Sequence, residues 1–413
     1  MIKHYDEVLD NGLRLVISCD DTKKVNRAEV IVKFGGSINK VKVGKKEINI
    51  DFGIAHILEH TIIEKSSFGN SVEYMKDLYT YYNGYTNKDN TCFYIETVLD
   101  FYDRFEDLLE IVYNPTFNQI EDVKRPIIEE IRQANNRPLK KFNELAESQL
   151  YEIPYNNILG SEDTVSNITS DEIKKIYDIF YQPSNQIIRL SGNIDIKKTK
   201  KIINKILKKY KRDYPKFLLI EREEPKEVLK KRALITRDDI DEVTRICFKF
   251  ERSLFSNYEL RRLGDYFSFM YYDTFSDASG MYDYLVDNKI SLYSVNQSRS
   301  LNPTSIIFAV DIWSNQTEKI EKLVIDKLNH FKFDEERFHL WLNNRILDSI
   351  IDSTHVHTLC NELISNILET NTSEIDDMDY YKSLNIQEGT ELYNRLTFNN
   401  YAITEMRHSN ENN

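Results

Sequence analysis

The chain has 413 residues, 41% of them hydrophobic and 12% aromatic, which is enough for two domains with substantial apolar cores. A formal net charge of −12 without a long basic stripe argues against a nucleic-acid-binding protein. The four cysteines are far apart and form no Cys-x-x-Cys pair, which favours free thiols in a reducing compartment. The first residues lack the apolar core of a signal peptide, and no apolar run reaches transmembrane length. We therefore expect a cytoplasmic protein that is not inserted into a membrane.

In the first half of the chain, short segments with strand-like alternation are separated by segments with helical periodicity. The predicted elements are, in chain order, strands at 14–19 and 27–35, a helix containing 56–60, a helix at 72–82, a strand pair within 85–99, helices at 102–113 and 118–135, and a strand at 185–190. This order is typical of sheets packed with helices.

The second half repeats this order of elements. Two prolines and dense charge between 208 and 231 predict a linker, so we place the first domain at 1–210, the linker at 211–231 and the second domain at 232–413. The later predictions are a strand at 243–250, a helix at 257–274, strands at 291–297 and 305–313, and helices at 318–331 and 335–353. The predicted fold class is therefore α+β, with two homologous α/β domains, each a mixed, mostly antiparallel sheet packed with helices.

The segment His56-Ile57-Leu58-Glu59-His60 carries the most specific chemistry in the chain. On a helix, residues four apart project from one face, so both imidazoles could bind one Zn²⁺. Glu59 lies on the same side, where a carboxylate can act on a water molecule beside the metal. This order of residues is the inverted zinc-protease motif, and it predicts metal-assisted hydrolysis of a peptide bond.

A catalytic zinc ion needs a third protein ligand and a fourth position open to water. The segment 124–136 predicts a helix with two adjacent carboxylates, Glu129 and Glu130, and Glu130 follows His60 by 70 residues. Either carboxylate is a candidate for the third ligand.

Several stretches along the chain resemble the pitrilysin, or insulinase-type, zinc peptidases, in particular the short-chain class related to mitochondrial processing peptidase and bacterial two-chain zinc peptidases. The stretches that carry the resemblance, besides the motif, are residues 11–16, 34–37, 83–94, 114–117, 181–185 and 191–195. The resemblance implies that the two domains form half of a clam-shell peptidase and that the second domain is an inactive repeat.

The resemblance also implies a role for individual residues. His56, His60 and Glu130 would bind one Zn²⁺ per chain, with Glu130 preferred to Glu129 because it directly precedes an apolar residue, and Glu59 would be the general base. The implied contacts with a peptide added as a strand near 86–94 involve Thr86, Asn87 and, from the second domain, Tyr293. The nearest candidates for an acidic residue that orients a ligand histidine are Glu121 and Asp122.

In relatives, an arginine seven residues before the tyrosine helps to hold the substrate carbonyl. Here Tyr293 matches the tyrosine, but the matching position is Val286. A different register would leave Lys289 or Arg299 to substitute; we favour a real loss of the arginine.

That loss favours a heterodimer in which this chain supplies zinc and a homologous subunit supplies the arginine and tyrosine. The leading hypothesis is therefore a zinc endopeptidase that cleaves peptides or unfolded segments as the metal-bearing subunit of such a pair. The alternatives are a self-sufficient homodimeric peptidase and a non-catalytic binding or assembly subunit. Retention of both histidines, Glu59 and Glu130 argues against the last.

Overall fold

The computed structural model describes residues 3–237, 241–352, 354–371 and 378–409, with residue 359 described by its backbone alone. Its strands are β1 (Lys3–Val8), β2 (Arg14–Cys19), β3 (Asn26–Val32), β4 (Lys40–Val43), β5 (Lys46–Asn49), β6 (Tyr81–Thr86), β7 (Thr91–Thr97), β8 (Gln186–Gly192), β9 (Phe217–Leu219), β10 (Arg232–Arg237), β11 (Val243–Glu251), β12 (Asn296–Leu301), β13 (Ser305–Ile312) and β14 (Tyr401–His408).

The helices occur singly or in consecutive runs between these strands. They are α1 (Ile54–Glu64), α2 (Ser71–Asp77), α3 (Phe101–Tyr113), α4 (Ile120–Asn135), α5 (Pro138–Ser148), α6 (Glu162–Asn167), α7 (Ser170–Phe180), α8 (Ile196–Lys209), α9 (Asn257–Thr274), α10 (Met281–Asp287), α11 (Thr317–Asn329), α12 (Glu335–Asp352), α13 (Val356–Thr370), α14 (Met378–Ser383) and α15 (Ile386–Tyr393).

The chain divides into two compact units. Unit 1 consists of Met1–Asn136, Tyr155–Glu221 and Ser353–Asn361, and unit 2 of Arg137–Pro154, Arg222–Asp352 and Glu362–Asn413. The main division falls within the predicted linker 211–231, but the continuous domains predicted at 1–210 and 232–413 differ from these units in two segments.

Both exceptions have a physical cause in packing. Phe142 on α5 is 1% exposed and forms an apolar cluster with Val243 and Met406 on the sheet of unit 2. In unit 1, the first turns of α13 pack against β8, where Ser191 Oγ lies 2.6 Å from His357 Nδ1. Packing of a helix against a sheet, through apolar burial for α5 and a polar side-chain contact for α13, thus decides unit membership at these two places.

The main sheet of unit 1 has the strand order β1-β2-β8-β3-β7-β6. Strands β2 and β8 are parallel and the other neighbouring pairs are antiparallel. Helices α1, α3, α4, α7 and α8 share one apolar core with this sheet. A separate sheet has the order β5-β4-β9. Strand β6 is an edge of the main sheet, and its position next to α1 matters for the site described below.

The sheet of unit 2 has the order β10-β14-β11-β13-β12 and repeats the pairing pattern of β2-β8-β3-β7-β6. In both of these five-strand series a parallel pair comes first and three antiparallel pairs follow; the unit 1 sheet has β1 as an additional antiparallel strand next to β2. The core of unit 2 is rich in aromatic side chains from the sheet, α9 and α12. The predicted fold class, α+β with two homologous domains and mixed, mostly antiparallel sheets, is confirmed.

The structure differs from the predicted elements mainly at their ends. The helix predicted at 72–82 ends at Asp77, because residues from Tyr81 onward pair with β7 as strand β6. The strand predicted at 291–297 begins only at Asn296. The last residue of the helix predicted at 335–353 lies outside the described residues.

One buried lysine predicts that the stability of unit 2 depends on pH. Lys249 on β11 is 3% exposed, and its Nζ donates hydrogen bonds to the carbonyl oxygens of Leu150 and Pro225 at 2.5 and 2.6 Å. Burial lowers the pKa of Lys249 to about 8, against about 10.4 in an unfolded chain. Between these values the unfolded chain binds more protons, so the lysine makes the free energy of unfolding rise with pH in that window.

We therefore expect the stability of Lys249→Met to rise less than that of the wild type between pH 8 and 10. Urea unfolding followed by tryptophan fluorescence measures this, because both tryptophans, Trp313 and Trp341, belong to unit 2. Lys226→Met is the matched control, since the Lys226 side chain is 74% exposed. An identical pH response of Lys249→Met and the wild type would contradict the expectation.

Candidate metal centre

Helix α1 carries the histidine pair. It begins after Gly53, whose φ of 93° favours glycine, and a Cβ there would lie 2.7 Å from the Leu159 carbonyl oxygen. The helical spacing places His56 and His60 on one face, with ring centroids 4.7 Å apart. His56 is 8% exposed, so the pair lies at the edge of the core.

Helix α4 brings a carboxylate to the two imidazoles. Glu130 Oε2 lies 3.5 Å from His56 Nε2, and Glu130 Oε1 lies 3.7 Å from His60 Nε2. The adjacent Glu129 is directed instead to Arg132, 2.6 Å away on the exposed side of the helix. The structure thus brings together the three predicted ligands, with Glu130 and not Glu129 beside the histidines.

The donor atoms fit a zinc ion. One ligand atom from each of His56, His60 and Glu130 lies within 4.8 Å of the other two. Burial, with a smaller effect of the His60 charge, lowers the pKa of His56 to about 3, so this imidazole is neutral, as a metal ligand must be. Two imidazole nitrogens and one carboxylate form one of the donor sets found in catalytic zinc sites with three protein ligands.

His60 responds differently to its surroundings. Burial lowers its pKa, but the hydrogen bond with Glu64 and the charges of Glu59, Glu130 and Glu64 outweigh burial, so the pKa is raised overall. This concentration of negative charge around one imidazole would attract a cation.

Glu59 lies beside this cluster and is itself only 6% exposed. Thr86 Oγ1 donates a hydrogen bond of 2.6 Å to Glu59 Oε2. Burial raises the pKa of the Glu59 carboxyl, while the hydrogen bond from Thr86 and the charge of His60 act in the opposite direction. Strand β6 can lie close to Glu59 because Gly84 has no side chain; a Cβ at this position would lie 3.3 Å from Glu59 Cγ.

The residues predicted to contact substrate lie at different places. Thr86 ends the edge strand β6 and contacts Glu59, a role the sequence analysis did not anticipate. Asn87 is exposed in the turn after β6, and its carbonyl oxygen accepts a hydrogen bond from the Gly36 amide at 2.9 Å. Tyr293 belongs to unit 2, is 51% exposed, and packs near Trp313 with ring centroids 6.3 Å apart.

In unit 2, a cavity of about 510 Å³ is lined by Val286, Lys289, Tyr293 and Trp313, among others. Val286 occupies the position where relatives have the arginine, and Tyr293 occupies the tyrosine position. Lys289 is the nearby cation that could substitute for the arginine. Arg299 lies instead on β12, where its guanidinium is 3.5 Å from the Leu260 carbonyl oxygen and from Glu369.

The acidic residues predicted to orient a ligand histidine make other contacts. Glu121 accepts a hydrogen bond from Lys124 Nζ at 2.8 Å, and Asp122 lies 3.6 Å from Lys65 Nζ. At about 100° per residue, Glu121 lies about 180° and Asp122 about 80° around the helix from Glu130. Buried Val123 occupies the position that shares the face of Glu130, so we correct this assignment.

A carboxylate outside the predicted set of site residues contacts one of the predicted ligand histidines. Glu64 Oε1 lies 3.2 Å from His60 Nδ1. Its position four residues after His60 on the same helix was the pattern that could have revealed it.

Comparisons with known proteins agree with this architecture. The sequence matches the family model "Insulinase (Peptidase family M16)" over residues 20–162 and the model "Peptidase M16 inactive domain" over residues 167–340. The chain belongs to the insulinase-type M16 peptidase family.

Individual relatives are more distant. The chain is 28% identical to the "Uncharacterized zinc protease YmfH" of Bacillus subtilis over 54% of this chain and 53% of the relative. It is 27% identical to the "Zinc protease PqqE" of Helicobacter pylori over 48% of this chain and 45% of the relative. The aligned part of the chain thus spans about half the length of these curated relatives.

The fold is also similar to solved structures. A protein from Alicyclobacillus acidocaldarius described as an M16-like peptidase superposes with a TM-score of 0.88 at 18% identity, covering 99% of both chains. A protease from Helicobacter pylori gives a TM-score of 0.77 at 18% identity, covering 98% of this chain and 99% of the other.

Among the described residues, no helix is long and apolar enough to cross a membrane.

Proposed function

We propose that this protein is a zinc-dependent endopeptidase that cleaves peptides or unfolded segments. The observation that carries the proposal is the convergence of His56, His60 and Glu130, with the buried carboxylate of Glu59 next to them. Membership of the M16 peptidase family and the names of the zinc protease relatives support it.

Each residue of the site would have a separate role in peptide hydrolysis. His56, His60 and Glu130 would hold zinc, which would supply Lewis-acid polarisation of the scissile carbonyl and acidify the attacking water. Glu59 would accept the proton of that water and deliver it to the leaving amine nitrogen. Thr86 holds one oxygen of Glu59 in place, which leaves the other free for this proton transfer. No covalent intermediate is required.

An extended peptide is the substrate that the site accommodates best. Strand β6 is an edge of the sheet in unit 1, so its backbone can pair with an added strand. Thr86 at the end of β6 contacts the general base, so a strand added to this edge would pass close to the reacting centre.

We propose that the active enzyme is a heterodimer with a homologous subunit that carries the arginine and tyrosine. Support comes from Val286, which stands where relatives have the arginine, in the same cavity wall as Tyr293. A homodimer remains the alternative, with Lys289 in the cation role because it lines that cavity. We also propose a cytoplasmic location, supported by the free thiols of all four cysteines.

The experiment that tests this function combines metal analysis with a peptidase assay on quenched fluorescent peptides. We expect one zinc ion per chain, low activity of the isolated chain, and a large increase when the homologous subunit is added. Full activity of the isolated chain would support the homodimer instead. A chain without zinc or activity, alone or with the subunit, would support a non-catalytic assembly role and overturn the proposal.

Thr86 provides a finer prediction. If it acts by positioning Glu59, Thr86→Val should lower kcat by about 10- to 100-fold, because a hydrogen bond to a charged group is worth about 1.5–3 kcal/mol. KM and zinc content should not change, and Thr86→Ser should retain the hydroxyl and the activity. Steady-state kinetics of both variants measures this. A raised KM with unchanged kcat would instead assign Thr86 to substrate binding, as the sequence predicted.

A further inference from the structure

The two ligand histidines differ in what holds their second ring nitrogen. Both present Nε2 toward Glu130, so Nδ1 is the nitrogen directed away from the metal position. His60 Nδ1 lies 3.2 Å from Glu64 Oε1. His56 Nδ1 is buried and has no hydrogen-bond partner among the residues that the structure describes.

We propose that Glu64 is a positioning residue for His60, which accepts a hydrogen bond from the Nδ1–H of His60 and so keeps Nε2 unprotonated and aimed at the metal. The inference rests on the proposed zinc function and adds Glu64 to the ligand and base roles proposed for His56, His60, Glu130 and Glu59. Carboxylates that accept a hydrogen bond from a ligand imidazole fix its tautomer and ring orientation and strengthen it as a donor.

The local geometry suits this role. Glu64 is the last residue of α1 and lies one turn beyond His60, so the two side chains share one face of the helix. The His60 side chain is 18% exposed and that of Glu64 is 27% exposed, so the contact is partly shielded from water. Partial burial strengthens a hydrogen bond to a carboxylate.

The end of α1 is held in place by a neighbouring segment. The carbonyl oxygen of Lys65, the residue after Glu64, accepts hydrogen bonds from the backbone nitrogen and the hydroxyl of Thr116 at 2.7 and 2.9 Å. The Lys65 amide in turn donates to the Thr61 carbonyl oxygen at 2.9 Å. Because the backbone at this point is already fixed, the Glu64–His60 contact has to overcome only the loss of side-chain freedom.

Other carboxylates near the site are engaged elsewhere. Glu130 faces both Nε2 atoms, Glu121 binds Lys124, and Asp122 lies beside Lys65. Glu64 is therefore the carboxylate in the described structure that is placed to orient His60 through Nδ1.

The test is zinc affinity, measured by competition with a chromogenic chelator, for the wild type, Glu64→Gln and Glu64→Ala. We expect Glu64→Ala to weaken zinc binding by about 10- to 100-fold. Glu64→Gln keeps an acceptor oxygen without the charge and should fall between Glu64→Ala and the wild type. Asp122→Asn is the control, because it alters a nearby carboxylate that does not contact a ligand histidine.

A second measurement separates positioning from a merely structural role. The melting temperature of the chelator-treated protein should be the same for the wild type and both Glu64 variants. Unchanged zinc affinity in Glu64→Ala would overturn the inference, as would an affinity loss with an equally destabilised metal-free protein or a larger loss in Asp122→Asn. Failure of the wild type to bind zinc would instead overturn the proposed function, and this inference with it.

Discussion

Replacing Glu59 by glutamine is expected to lower kcat/KM by about 10²- to 10⁴-fold, the range that a general base contributes. Glutamine has nearly the same shape, and its amide can still bond to the Thr86 hydroxyl, but it cannot take a proton from water. Because Glu59 lies beside the cluster of His56, His60 and Glu130 and does not belong to it, zinc content should stay at the wild-type level.

Peptidase kinetics and metal analysis on the same preparation check this prediction. Glu129→Gln serves as the matched control, since Glu129 is an exposed carboxylate paired with Arg132. Activity of Glu59→Gln close to that of the wild type would remove Glu59 from the mechanism. Loss of zinc in this variant would show that Glu59 acts as a ligand.

Replacing Glu130 by glutamine is expected to weaken zinc binding by more than about a hundredfold. This loss of affinity exceeds the roughly 10- to 100-fold loss that is typical when a residue that only orients a ligand is removed. The charged oxygens of Glu130 face both histidines, at 3.5 and 3.7 Å from their Nε2 atoms. A neutral amide oxygen is a weaker ligand for zinc, and activity should fall with zinc occupancy.

Glu129→Gln is again the sharpest comparison for this variant. The two glutamates are neighbours on α4, carry the same charge and differ in the side of the helix they occupy. Equal zinc affinities for Glu129→Gln and Glu130→Gln would contradict the assignment of Glu130. Partial recovery of Glu130→Gln activity at high zinc concentration would agree with it.

The sequence predicted the parts of the site that depend on local geometry. A helix places residues four apart on one face, so the pairing of His56 with His60 followed from their spacing alone. The same rule applies to Glu64, four residues after His60, whereas the family resemblance implied an orienting carboxylate upstream of Glu130 on α4. Glu121 and Asp122 were chosen there although neither shares the helix face of Glu130.

Contacts between distant segments were harder to predict. The resemblance to the peptidase family favoured Glu130 over Glu129, and the packing of α4 against α1 places Glu130 beside the histidines. The hydrogen bond from Thr86 to Glu59 also joins residues from a strand and a helix that have no common periodicity. Thr86 was therefore assigned to substrate alone.

The division into two units also depends on contacts between distant segments. Helix α5 lies between two segments of unit 1 in the sequence but buries Phe142 against the sheet of unit 2. Strand β14 was not predicted, yet it lies between β10 and β11 within that sheet. The sequence by itself determined the metal motif, the repeated order of elements and the family. Only the tertiary structure decided which segments share a core and that Thr86 meets Glu59, because burial depends on packing between segments far apart in the chain, which local residue patterns do not specify.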